Sequence, residues 1–461
     1  MEFIAREKEV RKLTSALDQP DYELILVYGR RHVGKTELIK HTCRLSKLPV
    51  VYYMCRQINE KKLTDELTSA IDSVYPLEGQ MFRSFEDALR FMYKKGQKEP
   101  AVLVLDEYPN ARKQIEGLDT MLQSLSDEYK GSTQLKVILS GSYIDVMKSL
   151  KGSDEPLYGR ITLSIDLKQM DYFDSARFYP SFSDTEKVEL YSVFGGVPLY
   201  NSLIRSDLSV KENIIHLIAS PDARLSDEID SFLKTELSKI ANANSVFDAM
   251  ADGEINYSEI QKKANIESTG VMNDLIQKLI GMEVVRKEYP INKEDDKSKS
   301  HYYINDNFSR FYYRYIARRL SQMSIMDPSL FFDRFIKPDF DEHYIPKAFE
   351  EICKQFLIRK NLAGTINPVI EKIGKYYYDD ALNHTNGEFD IVTIDEKGYS
   401  FYEAKYKSRP VTEGTVQKEI QQVQTTNLNC YQYGFFSKSG FADNVSESIV
   451  KFTLNDIYNI R

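Results

Sequence analysis

The stretch LILVYGRRHVGKTELIK, residues 24 to 40, sets Gly29, Gly34, Lys35 and Thr36 at the spacing of a phosphate-binding loop, between a β-branched apolar run and a helical pattern. Glycines there let the backbone aim its amides at phosphate oxygens, and the helix that follows presents its positive N-terminus to them. Lys35 is expected to meet the β and γ phosphates, and the Thr36 hydroxyl to bind Mg²⁺. The nucleotide contacts expected of the loop are Gly29, His32, Val33, Gly34, Lys35 and Thr36. In AVLVLDEYPN a fully apolar strand ends in two acids, Asp106 placed to reach Mg²⁺ and Glu107 placed to orient the attacking water. VILSGSY ends a strand with Ser140 and Ser142, either of which senses the γ-phosphate or caps the next helix. In PLYGR, Arg160 is a candidate arginine finger acting on a neighbouring subunit's nucleotide, which would require a homo-oligomer; the alternative is an ordinary surface arginine.

A second set of reactive residues lies near the other end, in GEFDIVTIDEKGYSFYEAKY, residues 387 to 406. Two β-rich runs are joined by DEKG, where Gly398 permits a tight turn. Strand side chains alternate, so Glu403 and Lys405 share one face, and Asp390 can come level with Glu403 across the hairpin. Two carboxylates so placed make an oxygen-rich site for a divalent metal, and Lys405 beside them could position or help deprotonate a water that attacks a phosphodiester. The order Asp, then Glu-x-Lys, is the signature of PD-(D/E)XK nucleases. A further acid is expected from the helical AFEEICKQFL, as Glu350 or Glu351. On a solvated strand Glu-x-Lys is an everyday ion pair, but the flanking runs are apolar and aromatic, where unpaired charges are costly.

The elements that must position these groups follow from periodicity. Short apolar runs at 24–28, 49–53, 101–106, 135–140 and 161–166 alternate with helical patterns, which implies a parallel sheet covered on both faces. Residues 181–240 read mostly helical, with FGGVPLY as a break. From 241 to 320, helices give way to two strand-like runs, EVVRKEY and SHYYIND, around the charged NKEDDKSKS loop, the order of a winged helix. Its second helix follows a turn at Asn265 to Ile266, is capped by Ser268 or Thr269, and is expected to bury Val271, Leu275, Ile276 and Leu279. That helix offers a nearly neutral outer face, so a packing or lid role competes with duplex binding through the wing and Arg310, Arg314, Arg318 and Arg319.

At 461 residues the chain is too long for one core, so two or three domains are expected. Hydrophobic residues at 42% and charged residues at 28% describe a globular protein. No run of 18 apolar residues occurs and the opening MEFIAREKEV is charged, so neither a membrane partner nor a signal peptide is expected, and the cytoplasm is the expected location. Cys43, Cys55, Cys353 and Cys430 form no Cys-x-x-Cys pair, which argues against a disulfide framework or zinc site. A net charge of −8 argues against constitutive coating of nucleic acid and leaves local contact with DNA open.

These motifs carry a family resemblance. FIAREKEV, YGRRHVGKT, VLVLDEYP, LSGSYIDVM, PLYGR, FGGVPLY and NDNFSRFYYRYI look like the archaeal-type ATPases common in archaea and anaerobic bacteria, over nearly the whole chain. The resemblance implies an α/β fold: a P-loop NTPase (AAA-like) parallel sheet over 1–180, a helical lid over 181–240, a winged helix over 241–320, and a PD-(D/E)XK nuclease-like (restriction-endonuclease-like) α/β domain over 335–461. It also implies ATP and Mg²⁺ as cofactors, ATPase activity, and a metal-dependent DNA endonuclease whose ligands are Glu350, favoured over Glu351, with Asp390 and Glu403. Arg6 and Glu7 would fix the N-terminal helix near the adenine. The chain has no tryptophan where relatives often carry one, and Tyr312 or Tyr313, and Tyr376 or Tyr377, fill those places. The competing reading is a signal-responsive ATPase or transcriptional regulator whose C-terminal domain only binds a partner.

Overall fold

The computed structural model describes residues 3–229, 240–253, 255–380, 385–426 and 428–459. The chain divides into two compact units, one of Met1–Gln169 with Val197–Leu199, the other of Met170–Gly196 with Tyr200–Arg461. The lid segment expected over 181–240 runs into residues 230–239, which lie outside the described residues.

The first unit is built on five parallel strands, β1 (Glu23–Tyr28), β2 (Val50–Met54), β3 (Ala101–Asp106), β4 (Leu135–Gly141) and β5 (Leu163–Asp166), in the order β2-β3-β4-β1-β5. All five expected runs form strands, shifted by a residue or two at their ends. Alternation along each strand feeds two separate cores. Leu24, Leu26, Leu103, Leu105, Val137 and Leu139 pack on one face, and Ile25, Val27, Val102, Val104 and Ile138 on the other. Burial on both faces explains why these strands read as continuous apolar runs. The sheet's central position gives the carboxyl ends of β1, β3 and β4 a common edge, where ligands bind in open α/β sheets.

In the second unit, helices Tyr257–Lys263 and Thr269–Gly281 flank a turn at Asn265, whose φ of +53° breaks the helix. Strands β6 (Val285–Glu288) and β7 (His301–Ile304) then pair antiparallel, and Ile255 bridges to Tyr302. Ser268, rather than Thr269, caps the second helix by accepting from the Val271 amide at 3.4 Å. The buried face is Met272, Ile276 and Leu279, and Val271 is 48% exposed, which corrects the expected phase. With the helix starting at Thr269, spacing i, i+4, i+7 from Met272 gives the inward stripe and turns Val271 out. The aromatic segment continues from Asn307–Phe311 into a π-helical turn over Tyr312–Ile316, with Tyr313 stacked on Phe247 at 4.9 Å.

Helix Ile345–Leu362 precedes a mixed sheet of β8 (Lys372–Asp380), β9 (Thr385–Asp395), β10 (Gly398–Lys405), β11 (Cys430–Ser437) and β12 (Val450–Thr453), ordered β12-β11-β10-β9-β8. β8, β9 and β10 are antiparallel neighbours, whereas β11 and β12 join in parallel after helix Glu413–Gln424 crosses over. Gly398 makes the β9–β10 turn with φ +125°. Tyr376 is buried against Phe389 and Phe401, and Tyr377 is half-buried beneath the Lys299 ammonium.

Candidate functional site

Strand β1 delivers the chain into the loop at Gly29, whose φ of +152° and lack of a side chain are both required, because an added Cβ would overlap the Leu167 carbonyl oxygen. His32 at φ +64° and Gly34 at φ +95° continue the left-handed backbone, and Gly34 stands immediately before the helix Lys35–Ser46. Val33 is buried, and its carbonyl accepts from the Arg6 guanidinium at 3.2 Å, tying the N-terminal segment to the loop.

The Lys35 ammonium lies across the loop, donating to the Gly29 carbonyl at 2.9 Å, the Arg30 carbonyl at 3.0 Å and Ser142 Oγ at 2.9 Å. Thr36 Oγ1 donates to Asp106 Oδ2 at 2.7 Å. Hard oxygens from a hydroxyl and a carboxylate in contact are the donor set that suits Mg²⁺, so Thr36 and Asp106 fit that ion. Ser142 Oγ donates to Glu107 Oε1 at 2.7 Å, so a continuous chain runs from Glu107 through Ser142 to Lys35. Ser142 is thus the serine that meets Lys35. Ser140 is fully buried in β4, its hydroxyl has no partner among the described residues, and neither serine caps the next helix. Arg160 is held bidentate by Asp127 at 2.7 and 2.9 Å and donates to the Pro156 and Tyr158 carbonyls.

Sequence reasoning missed Tyr52, whose hydroxyl also donates to Asp106 Oδ2. Burial, then the Asp106 carboxylate, raises its pKa, so it remains a donor. No signal in the sequence marks it, since even the register of β2 with β3 sets Met54, and not Tyr52, beside Asp106.

The second constellation gathers in the C-terminal sheet. The β9–β10 ladder runs to Ile391–Tyr402, and the next pair in that register is Asp390 with Glu403. Helix Ile345–Leu362 brings Glu350 to the same cluster, while Glu351 turns to Lys354 at 2.5 Å. Burial, with Asp390 and Glu403 nearby, pushes the Glu350 carboxyl up to about 7 against the pull of Lys347. Burial would raise Asp390 too, but Lys347 and Lys375 hold it below the usual range. Glu403 is raised, chiefly by burial.

Lysines are interleaved with these acids. Lys347 Nζ lies 2.7 Å from Glu350 and 2.8 Å from Asp390, and Lys375 3.6 Å from Asp390. Among the described residues no three acidic, histidine or cysteine side chains converge as metal ligands. The donor chemistry of Asp390 and Glu403 suits a hard cation, but Lys347 occupies Asp390 together with Glu350, and Lys405 occupies Glu403. Lys405 lies 2.7 Å from both Glu403 and Glu419. Burial alone would lower its pKa, but those two carboxylates raise it, so Lys405 is held as a cation and not as a free base. Sequence reasoning missed Glu419, because a glutamate on an amphipathic helix ordinarily faces solvent; so did it miss Lys347 and Lys375.

A family model described as an ATPase domain predominantly from Archaea matches residues 3–202, and one described as archaeal and bacterial proteins of unknown function matches residues 312–422. An uncharacterized protein of Methanocaldococcus jannaschii is 27% identical over 408 residues, 88% of each chain. Among solved structures, a Walker-type ATPase of Pyrococcus abyssi superposes with a TM-score of 0.51 at 19% identity, covering 68% of this chain and 96% of that one. The Aeropyrum pernix ORC2 protein in ADPNP-ADP complexes gives 0.46 at 14% identity, covering 68% and 93%. Residues 3–202 are therefore similar to an ATPase domain predominantly from Archaea, and the fold is like that of the Pyrococcus abyssi Walker-type ATPase. Among the described residues no helix is long and apolar enough to cross a membrane.

Proposed function

We propose that this protein is an ATP-hydrolysing switch whose second unit carries a divalent-metal-dependent phosphodiesterase site acting on DNA. The observation that carries the reading is that one chain holds both a complete phosphate-loop set, Lys35, Thr36, Asp106 and Glu107, and a gathered set of Glu350, Asp390, Glu403 and Lys405. The helix, three antiparallel strands, crossover helix and parallel strand of the C-terminal sheet support the nuclease-like reading of its fold. The two helices followed by the β6–β7 hairpin support a winged helix over 241–320.

At the ATP site, arriving phosphates compete with the Gly29 and Arg30 carbonyls and Ser142 for the Lys35 ammonium. When Lys35 turns to them, Ser142 keeps its bond to Glu107, and the carboxylate is positioned to orient the attacking water. Bound Mg²⁺, held by Thr36 and Asp106, would neutralise the phosphate charge. Arg160 acts on a neighbouring subunit's nucleotide in this reading, released from Asp127. Arg160→Ala then abolishes hydrolysis and spares ATP affinity; loss of both would refute a role across subunits.

At the second site, Asp390 and Glu403 would hold a divalent cation that displaces Lys347, Glu350 completes the acidic set, and protonated Lys405 stabilises charge on the phosphodiester. The decisive experiment incubates plasmid and linear DNA with protein and Mg²⁺ or Mn²⁺, with and without ATP. Cleavage by the wild type that Lys405→Ala abolishes and Lys35→Ala uncouples from ATP is expected. Equal behaviour of wild type and Lys405→Ala would sink the nuclease assignment.

A second reading rests on the lysines that occupy the carboxylates: a signal-responsive ATPase or regulator whose C-terminal sheet is a binding module. Nucleotide-dependent DNA binding without cleavage would favour it.

A further inference from the structure

The second unit holds a partly open cavity of about 500 Å³, lined in part by Arg310 and Arg314. Its wall comes from the turn after Met250, the end of β7, the aromatic helix and the helix that carries Glu350. The charges on that wall are unequal in their pairing. Asp339 is gripped by Arg314 at 2.6 and 2.8 Å, and Glu351 by Lys354 at 2.5 Å. Arg310 is held more loosely: Nη2 donates to Asn307 Oδ1 at 2.6 Å, Tyr344 and Glu351 favour its charge from nearby, and its Nε has no hydrogen-bond partner among the described residues. No carboxylate among them lies within ion-pair distance of it, although its guanidinium lines the cavity.

A partly buried guanidinium with an unpartnered Nε and no carboxylate in direct contact is matched best by an anion that accepts through two oxygens. Water can fill the space but cannot supply the charge. A volume of this size takes a ligand as large as a nucleotide. Lys347 joins the cavity to the acid cluster, lining the former while bridging Glu350 and Asp390.

We propose that this cavity is a binding site for a nucleotide phosphate, held by Arg310 beside the Glu350–Asp390–Glu403 cluster. The ligand is a free mononucleotide or the nucleotide unit of a DNA strand; the functional meaning of its position rests on the phosphodiesterase reading, whereas the binding does not. A strand seated here keeps one phosphate fixed while Lys347 is drawn from the carboxylates toward the new anion.

The test uses the full chain carrying Lys35→Ala, which silences the phosphate loop, in EDTA, which stops metal-dependent cleavage. Inorganic phosphate, dAMP and a short 5′-phosphorylated single-stranded oligonucleotide are titrated by calorimetry. Arg310→Gln is expected to weaken whichever nucleotide probe binds by about 10-fold or more, the loss of one charge-assisted contact. Ala348→Leu, which grows into the cavity and removes no charge, should weaken it too, and decides alone if Arg310→Gln fails to fold. Binding of dAMP assigns a free nucleotide, and binding of the oligonucleotide alone assigns a strand. If no nucleotide probe binds, or if the folded variants keep full affinity, the proposal is overturned. Failure of the phosphodiesterase reading looks different, as intact binding here without cleavage in metal.

Discussion

Gly29 and Glu350 show how single residues carry the two sites. At Gly29 the backbone passes so close to Leu167 that a methyl group has no room, and φ is +152° besides. Gly29→Ala should cost about 1–3 kcal/mol of stability and abolish ATP binding, read by thermal melts and nucleotide titration; an Ala variant that binds ATP normally would show that the loop does not need this conformation. At Glu350 the folded pKa of about 7 stands above the unfolded value near 4.3. Between those values the native chain holds more protons than the unfolded chain, so this carboxyl's contribution to stability falls as pH rises through the window. Glu350→Gln should therefore gain stability over the wild type as pH is raised from about 4.5 to 7.5. A difference that stays flat across denaturant titrations at those pH values would contradict the burial assigned to this group.

Elements decide which residues face one another. Alternation in β9 and β10 put Glu403 and Lys405 on one face and levelled Asp390 with Glu403, as the observed register does. Helix phase was less legible. In a segment rich in apolar residues the stripe depends on where the first turn closes, and Ser268 sets that point. Met272→Ala should cost about 2–5 kcal/mol, whereas Val271→Ser should stay within about 0.5 kcal/mol. Equal losses in urea unfolding would return the helix to the phase expected from sequence.

At the scale of the molecule, the first unit should respond to bound ATP by mass action. ATP with Mg²⁺ at about 100 times its dissociation constant stabilises a binding unit by about 2.7 kcal/mol. Calorimetry should show a raised melting transition in the wild type and none in Lys35→Ala; an unmoved transition in the wild type would contradict nucleotide binding at Lys35. By itself the sequence determined the phosphate loop, the strand acids Asp106 and Glu107, the five parallel strands and the Asp, Glu-x-Lys hairpin, because local spacing and period-two burial write these directly into residue order. Only the tertiary structure decided that Ser142 rather than Ser140 meets Lys35, that Tyr52 leans on Asp106, and that Lys347 and Glu419 enter the second cluster. Each of those is a meeting of side chains from elements far apart in the chain, and no periodicity within one element records what the neighbouring element will place against it.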